Sequence, residues 1–384
     1  MAEETPVLIA GAGPSGLALA VTLACRGIKS MLIDRAERGQ ETSRAIVLHA
    51  GSLLALEPIG ATPLLLERGL RTTKLVIGTP TRTLLTADFG SLPPPYSFAL
   101  TIPQNETEAV LRERLSALGG SLEWDCELLD ARQDEDGVDA VIRCADGKRE
   151  VRAGYLVGAD GYHSKVRETL NAKFHPGTYP VSVMLGDVRM SWPRPDNEDY
   201  FYLVDGRFLI VAVLGGGYYR LVADVEDPPA QPSQNDLQNM LDARAPKGFG
   251  ASISAVRWAS RFHIHHGLVD RWRSGRIFLA GDAAHVHSPA GGQGMNISMQ
   301  DGRLLGDMLA DVIEGDKPDA SLDEYERVRR PIAADVVRTT DLMTRAILAR
   351  SAVTRSLRDE AMAIAGSVPF VRQRFARRLA ELPA

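Results

Sequence analysis

Residues 7–34 constrain the fold more than any other stretch. Val7-Leu8-Ile9-Ala10 is a short apolar run, and Gly11-Ala12-Gly13-Pro14-Ser15-Gly16 follows at once. An uncharged segment continues to Cys25, and Gly27 stands where a helix would be capped. Residues 30–33 then form a second apolar run that ends in Asp34. This order predicts strand, tight turn, helix and parallel strand. In such a turn the first glycine makes the bend and the second lets backbone approach a pyrophosphate. The third lets helix and strand touch. An acid closing the second strand is placed to hold a ribose hydroxyl pair. NAD and FAD both suit the unit. The uncharged run 7–25 is about as long as a membrane helix, but the glycine turn breaks it, and Glu3 and Glu4 precede it where a signal peptide carries positive charge. We therefore expect no integral membrane segment, no targeting segment and a cytoplasmic location.

A second stretch has the same character. Residues 276–280 (Arg-Ile-Phe-Leu-Ala) read as a buried strand, followed by Gly281-Asp282 where its C-terminal edge should lie. In open α/β sheets ligands sit at that edge. A loop containing Pro289, Gly291, Gly292 and Gly294 leads to an amphipathic helix that opens near 295–300, with Met295 and Asn296 in its first turn. Glycines allow close backbone approach, and a helix N-terminus presents amide hydrogens to negative charge. A flat ligand with hydroxyls for Asp282 and a partly anionic ring for the helix start would fit, and a flavin is such a ligand.

Between these stretches the pattern alternates. Ser43-Arg44-Ala45 precedes a helix expected at 52–56, and Arg44 reads equally as a surface charge or as a contact to phosphate or carboxylate. Runs 75–77 and 82–89 suggest a hairpin, and Pro93-Pro94-Pro95 forces an extended crossing. Gln104 precedes a helix expected at 107–118. Strands are expected at 121–129 and 138–144. Tyr155-Leu156-Val157 is a further apolar strand, running into Gly158-Ala159-Asp160-Gly161 at a helix start, where Asp160 alone would read as a cap. From 181 to 262 the chain alternates as strands 181–192, 200–204, 207–214, 218–225 and 252–262, with Asp205-Gly206 and Gly215–Gly217 at hairpin positions. Beyond Asp301 the chain is mainly helical, and its last helix reads as a solvated packing helix.

With 384 residues the chain has room for two domains or more. Its net charge of −5 argues against nucleic acid as a partner. The cysteines Cys25, Cys126 and Cys144 show neither CxxC nor metal-ligand spacing, so we expect free or buried thiols of a reducing compartment and no metal.

Taken together, GxGxxG with Asp34, GADGYHSKVR at 158–167 and RIFLAGDAAH…GGQGMN at 276–296 resemble the single-component FAD-dependent aromatic hydroxylases, which have the p-hydroxybenzoate-hydroxylase fold. The resemblance implies a Rossmann-like FAD-binding α/β domain (1–74, 97–178 and 266–330). It also implies an inserted, mostly antiparallel substrate-binding β-sheet (75–96 and 179–265) and a C-terminal helical region (331–384). It leaves no length for the thioredoxin-like C-terminal domain of the larger members. By the same resemblance, Gly11, Gly13, Pro14, Ser15, Gly16, Asp34, Arg35, Arg44 and Gln104 would hold the ADP half and phosphates of FAD. Asp160 would serve the flavin and a passing nicotinamide cofactor. Gly281 and Asp282 would bind the ribityl and pyrophosphate side. Gly292, Gly294, Met295 and Asn296 would meet the pyrimidine end of the ring, with Pro289 beside its reacting edge.

The implied reaction uses NADPH or NADH and O2 to hydroxylate an aromatic, phenolic or polyketide-like small molecule through a flavin C4a-hydroperoxide, in a monomer or homodimer. A related halogenase or reductase, or a non-enzymatic FAD-binding sensor, are the alternatives. The catalytic base is not legible. Arg220, Tyr219 and His263 are candidates by location alone.

Overall fold

The computed structural model describes residues 3–39 and 45–382. The first strand, Glu3–Ala10, leads through the glycine turn to the helix Pro14–Cys25 and back to the strand Ser30–Ile33. Five strands form a parallel core in the spatial order Ile277–Leu279, Gly147–Gly158, Glu3–Ala10, Ser30–Ile33 and Leu122–Glu123. Parallel strands buried on both faces need unbroken apolar runs, and Val7, Leu8 and Ile9 are each fully buried. The strand Gly147–Gly158 does double duty, because its first half pairs antiparallel with Val138–Cys144, which pairs in turn with Glu127–Gln133.

The single strand expected at 121–129 is two strands. Leu122–Glu123 joins the parallel sheet, Glu127–Gln133 joins the antiparallel arm, and Asp125 between them turns the chain at φ 52°. The expectation for the cysteines is overturned as well. Cys126 and Cys144 are joined by a disulfide, and Cys25 alone is free among the described residues. The ladder that pairs Glu127 with Arg143 sets the two cysteines opposite each other, with Cα atoms 4.1 Å apart. Eighteen residues of separation hid that proximity.

A second eight-stranded sheet contains Lys74–Gly78, Thr83–Asp88, Gly177–Ser191, Glu198–Val204, Arg207–Gly215, Tyr218–Val225, Ser252–Leu268 and the short His285–Val286. Its pairings are antiparallel except between Glu198–Val204 and Lys74–Gly78. One face carries Tyr219, Leu221, Ala223, Leu209 and Val211 against Leu237, Met240 and Leu241 of the helix Gln234–Arg244. That helix was not anticipated, although Ser233 and Asp236 form a capping box at its start. The other face carries Val183, Phe208, Ile264, Phe201, Ile210, Val222 and Phe262, and meets Ile347 and Leu348 at the end of the helix Asp323–Ile347. Among the described residues no helix is long and apolar enough to cross a membrane.

One buried acid in this sheet gives a measurable pH signature. Asp199 accepts the Val213 amide at 3.0 Å, and burial pushes its carboxyl up to about 7. Because the folded value lies above the unfolded one, the native state keeps a proton that the unfolded chain has released. Stability therefore falls as pH rises from about 4 to about 7 and then levels. Asp199→Asn is expected to abolish that fall, with a gain of up to about 4 kcal/mol at pH 8 and little change at pH 4. Urea unfolding at the two pH values measures it, and equal effects at both would refute the assignment.

Candidate active site

Three chain segments meet at the C-terminal edge of the parallel strands. Gly11 adopts φ +105°, and a Cβ built there would lie 2.2 Å from the Ala159 carbonyl oxygen. The Ala159 amide donates to the Ala10 carbonyl at 2.8 Å, so the glycine turn and the Gly158–Gly161 segment are in backbone contact. Gly16 packs on Gly11 so closely that a Cβ would come within 1.9 Å of the Gly11 oxygen. Gly13, at the helix cap with ordinary extended angles, faces space with nothing within 4 Å of a built Cβ. Pro14 opens the helix, and Ser15 behind it is buried.

The long helix Gly294–Ile313 approaches the same point. A Cβ at Gly302 would lie 2.1 Å from the Ser15 carbonyl oxygen, and one at Gly306 would meet Thr22, so this helix and Pro14–Cys25 cross in near backbone contact. Gly281, at φ +60°, sits between Ser15 and Ser298. The crossing sets two helix N-termini side by side at one sheet edge, where their amides and dipoles favour anionic groups. Gln293 stands at the cap of the long helix, where its side chain makes no capping bond and instead donates to the Arg378 carbonyl at 3.3 Å. Arg167 links the remaining segment, donating to the carbonyls of Tyr162 at 2.6 Å and Ala283 at 3.1 Å.

Asp34 accepts the amides of Ala12 at 2.7 Å and Ala36 at 2.8 Å, so its carboxylate shapes the glycine turn. Gln104 begins the helix Gln104–Ala117 and donates to Glu108 at 2.9 Å. Burial raises the Glu108 carboxyl, while Gln104 and Arg112 pull it back. Arg35 is exposed and lines an open depression with Asp125, Glu127, Arg143 and Cys144. Arg44 lies outside the described residues. Asp160 accepts the amides of Lys165 and Val166 at 2.7 and 3.2 Å. Burial raises it, and these bonds with that of Ser164 oppose the shift. Asp282 is exposed at the sheet edge, and Pro289 is exposed in the loop beyond it.

Asn296 ties the glycine loop together by donating to the carbonyls of Val47 and Gly292, each at 2.8 Å, and accepting the His49 amide at 2.8 Å. Met295 is buried in the same first turn, while Gly292 adopts φ +66°. His49 contacts the Gly291 carbonyl at 2.9 Å, and His287 lies beside Gly294. Burial pulls both imidazoles down to about 4, so both are neutral at pH 7. The positive character at this helix start therefore comes from the backbone. Behind it, buried Asp301 accepts from His285 and from Arg329, each at 2.6 Å, and from the Gly281 amide at 3.3 Å. Glu381 closes the back of the site through Ser52 and Gln300, and burial pushes it up to about 8. His49, Asp301, Arg329 and Glu381 were missed because each acquires its role from partners far away in the chain, and Glu108, whose partners Gln104 and Arg112 lie on its own helix, because the sequence does not show that its carboxyl is buried.

The residues suggested as a base do not gather here. Arg220 is fully buried and forms a two-point bond with Asp187 at 2.6 and 2.8 Å, and Asp187 also accepts from Trp258 at 2.9 Å. Tyr219 points to the opposite face, toward the helix Gln234–Arg244. His263 is exposed and paired with Ser182 at 3.3 Å.

Among the described residues, Ser15 Oγ and Asp160 Oδ1 are buried at this edge without a hydrogen-bond partner, as are His49 Nδ1 and His287 Nε2 beside the glycine loop. With the open space before Gly13, they fit a nucleotide crossing the three segments.

Comparisons with known proteins agree. The chain matches the FAD binding domain family over residues 4–340. It is 36% identical over 366 residues to a 6-methylpretetramide 4-monooxygenase of Streptomyces rimosus, covering 92% of this chain and 64% of that protein. It is 34% identical over 354 residues to a pentachlorophenol 4-monooxygenase of Sphingobium chlorophenolicum, covering 90% and 65%. The chain thus spans just under two thirds of the length of these two relatives. Among solved structures, an anhydrotetracycline hydroxylase of Streptomyces rimosus superimposes with a TM-score of 0.84 at 31% identity, over 99% of this chain and 76% of that one. The chain belongs to the FAD binding domain family of the single-component flavin-dependent aromatic hydroxylases, and FAD is its cofactor.

Proposed function

We propose that this chain carries the activity of an NAD(P)H-dependent monooxygenase that hydroxylates an aromatic, phenolic or polyketide-like small molecule in the cytoplasm. The observation that supports it best is the convergence of the three segments beside an apolar sheet face. Bound FAD would supply the reduction by NAD(P)H and the activation of O2. Gly11, Gly13, Ser15 and the start of Pro14–Cys25 would hold the pyrophosphate, Asp34 the adenosine ribose, and Asp282 the ribityl side. The Gly292–Asn296 backbone would stabilise negative charge on the reduced ring through the helix N-terminus. Asp160, with one oxygen unpartnered, would face the cofactor from the neighbouring strand end.

The inserted sheet would form the substrate wall. Val222 and Arg220 share a face, since alternate residues of a strand do, and Arg220 reaches the Ala45 carbonyl of the FAD-binding part at 3.5 Å. Phe201, Phe208, Ile210 and Phe262 line that face. An apolar wall excludes water and suits a flat ring. The Arg220–Asp187–Trp258 network would brace the wall and leaves proton transfer to other groups.

Purified protein is expected to be yellow and to release FAD on denaturation. NADH or NADPH oxidation is expected to rise when phenols or polyketides are added, with one oxygen atom gained by the product. Stimulated oxidation that ends entirely in hydrogen peroxide, with no oxygenated product from any compound tried, would refute hydroxylation.

A further inference from the structure

The disulfide lies where no structural need calls for one. A chain of this length buries enough apolar surface to hold its core without cross-links. The bond closes a short arm at the edge of the FAD-binding sheet, beside the segment that carries Asp34. The Cys126 amide donates to the Asp34 carbonyl at 2.9 Å, the Asp125 amide to Ala36 at 2.8 Å, and the Asp34 amide to Glu123 at 2.9 Å. Asp34 in turn holds the Ala12 amide of the glycine turn. One covalent bond, one backbone hydrogen bond and one side-chain hydrogen bond thus connect Cys144 to the FAD cradle.

The pair is also built for exchange. Cys126 is buried, whereas Cys144 is half-buried and lines an open depression of about 370 Å³ with Arg35, Asp125, Glu127 and Arg143. Arg149 places its guanidinium 2.8 Å from the Cys144 sulfur and 3.6 Å from that of Cys126, while pairing with Glu123. A fixed cation beside both sulfurs stabilises a thiolate, the reactive form in thiol–disulfide exchange. Glu123, Cys126 and Cys144 could by spacing hold a metal ion, but the Arg149 charge among them opposes a cation.

We propose that Cys126–Cys144 is a redox-reversible modification site that responds to dithiol reductants and sets how firmly the chain holds FAD. The proposal rests on the reading of Asp34 as a nucleotide contact. A dithiol thiolate attacks the Cys144 sulfur, the S–S bond breaks, and Cys126 leaves as a thiolate that takes a proton from water. The second thiol of the reductant then releases Cys144 as a thiol. The reductant is oxidised to its own disulfide, and two electrons and two protons have passed to the protein. Without the cross-link the Cys126 amide holds Asp34 less firmly, and the glycine turn loses its preset shape.

The test uses the full chain freed of FAD. Alkylation with iodoacetamide and intact mass are expected to count one thiol, Cys25, without reductant and three after dithiothreitol. Titration by flavin fluorescence quenching is expected to show FAD binding about tenfold weaker in the reduced form, within the usual range for coupled sites. Because coupling is reciprocal, saturating FAD should shift the dithiothreitol redox titration toward stronger reducing conditions by the same factor. C126S/C144S should bind FAD weakly whatever the reductant, and C25S should respond as the parent does. If the double variant does not fold, reduced protein alkylated at both cysteines replaces it. Three free thiols without reductant, or equal FAD affinity in both states, would overturn the switch. Protein that binds FAD in neither state would overturn the reading of Asp34 and the proposal with it.

Discussion

Asp301→Asn is expected to lower unfolding stability by about 3–5 kcal/mol, the usual cost of leaving a buried cation without its partner. Asp301 is fully buried and holds three donors from distant parts of the chain, His285, Arg329 and the Gly281 amide. Asparagine keeps the shape and removes the charge, so Arg329, itself only 6% exposed, faces an uncompensated burial. Burial alone would raise the Asp301 carboxyl, but Arg329 and His285 outweigh it and hold it below the ordinary range. A depressed value contributes stability that is present above about pH 4 and is lost as pH falls through the folded value. The parent should therefore show an acid-limb loss that the variant lacks. Urea unfolding between pH 3 and 7 measures both, and an effect below about 1 kcal/mol at pH 7 would show that the network contributes little. Because Asp301 anchors the Gly281 amide, the variant should also retain less FAD in its folded fraction.

The second large effect separates folding from binding at neighbouring glycines. Gly11→Ala places a methyl 2.2 Å from the Ala159 oxygen at φ +105°, and both the clash and the backbone strain act on the folded state. A loss of roughly 3 kcal/mol or more is expected, with FAD binding lost alongside. Gly13→Ala meets nothing within 4 Å and needs no unusual angle. Its stability should stay within about 0.5 kcal/mol of the parent. Its methyl nevertheless occupies the open space in which we propose that the pyrophosphate sits, so FAD affinity should fall by about tenfold or more, or some 1.4 kcal/mol. Thermal unfolding with FAD titration on both variants decides the matter. Unchanged FAD affinity in Gly13→Ala would remove Gly13 from the cofactor site.

These two glycines also mark what was legible beforehand. The strand–turn–helix around Gly11, Gly13 and Gly16 is encoded within about two dozen residues. The same holds for the strand ending at Gly281-Asp282 and the helix opening at Gly294. Apolar runs, glycine spacing and a closing acid act between near neighbours, so reading them needs no knowledge of the rest of the chain. The inserted sheet was legible for the same reason, through alternation and turn residues. The strand break at Asp125 was not, because a single positive φ in an otherwise strand-like run leaves no period to detect.

Short-range patterns thus encode the separate strands, turns and helices, and with them the sheet edge at which we propose that FAD binds. Which side chains meet across that edge is fixed only when the units pack together. Cys126 faces Cys144 because an antiparallel ladder folds back on itself, and Asp301 collects His285 and Arg329 because two helices pack on one loop. Arg220 is committed to Asp187 and Trp258 while Tyr219 faces the opposite way, because strand pairing and the helix Gln234–Arg244 fix the two faces. Such contacts depend on register, crossing and burial, which are properties of the assembled chain rather than of any window along it.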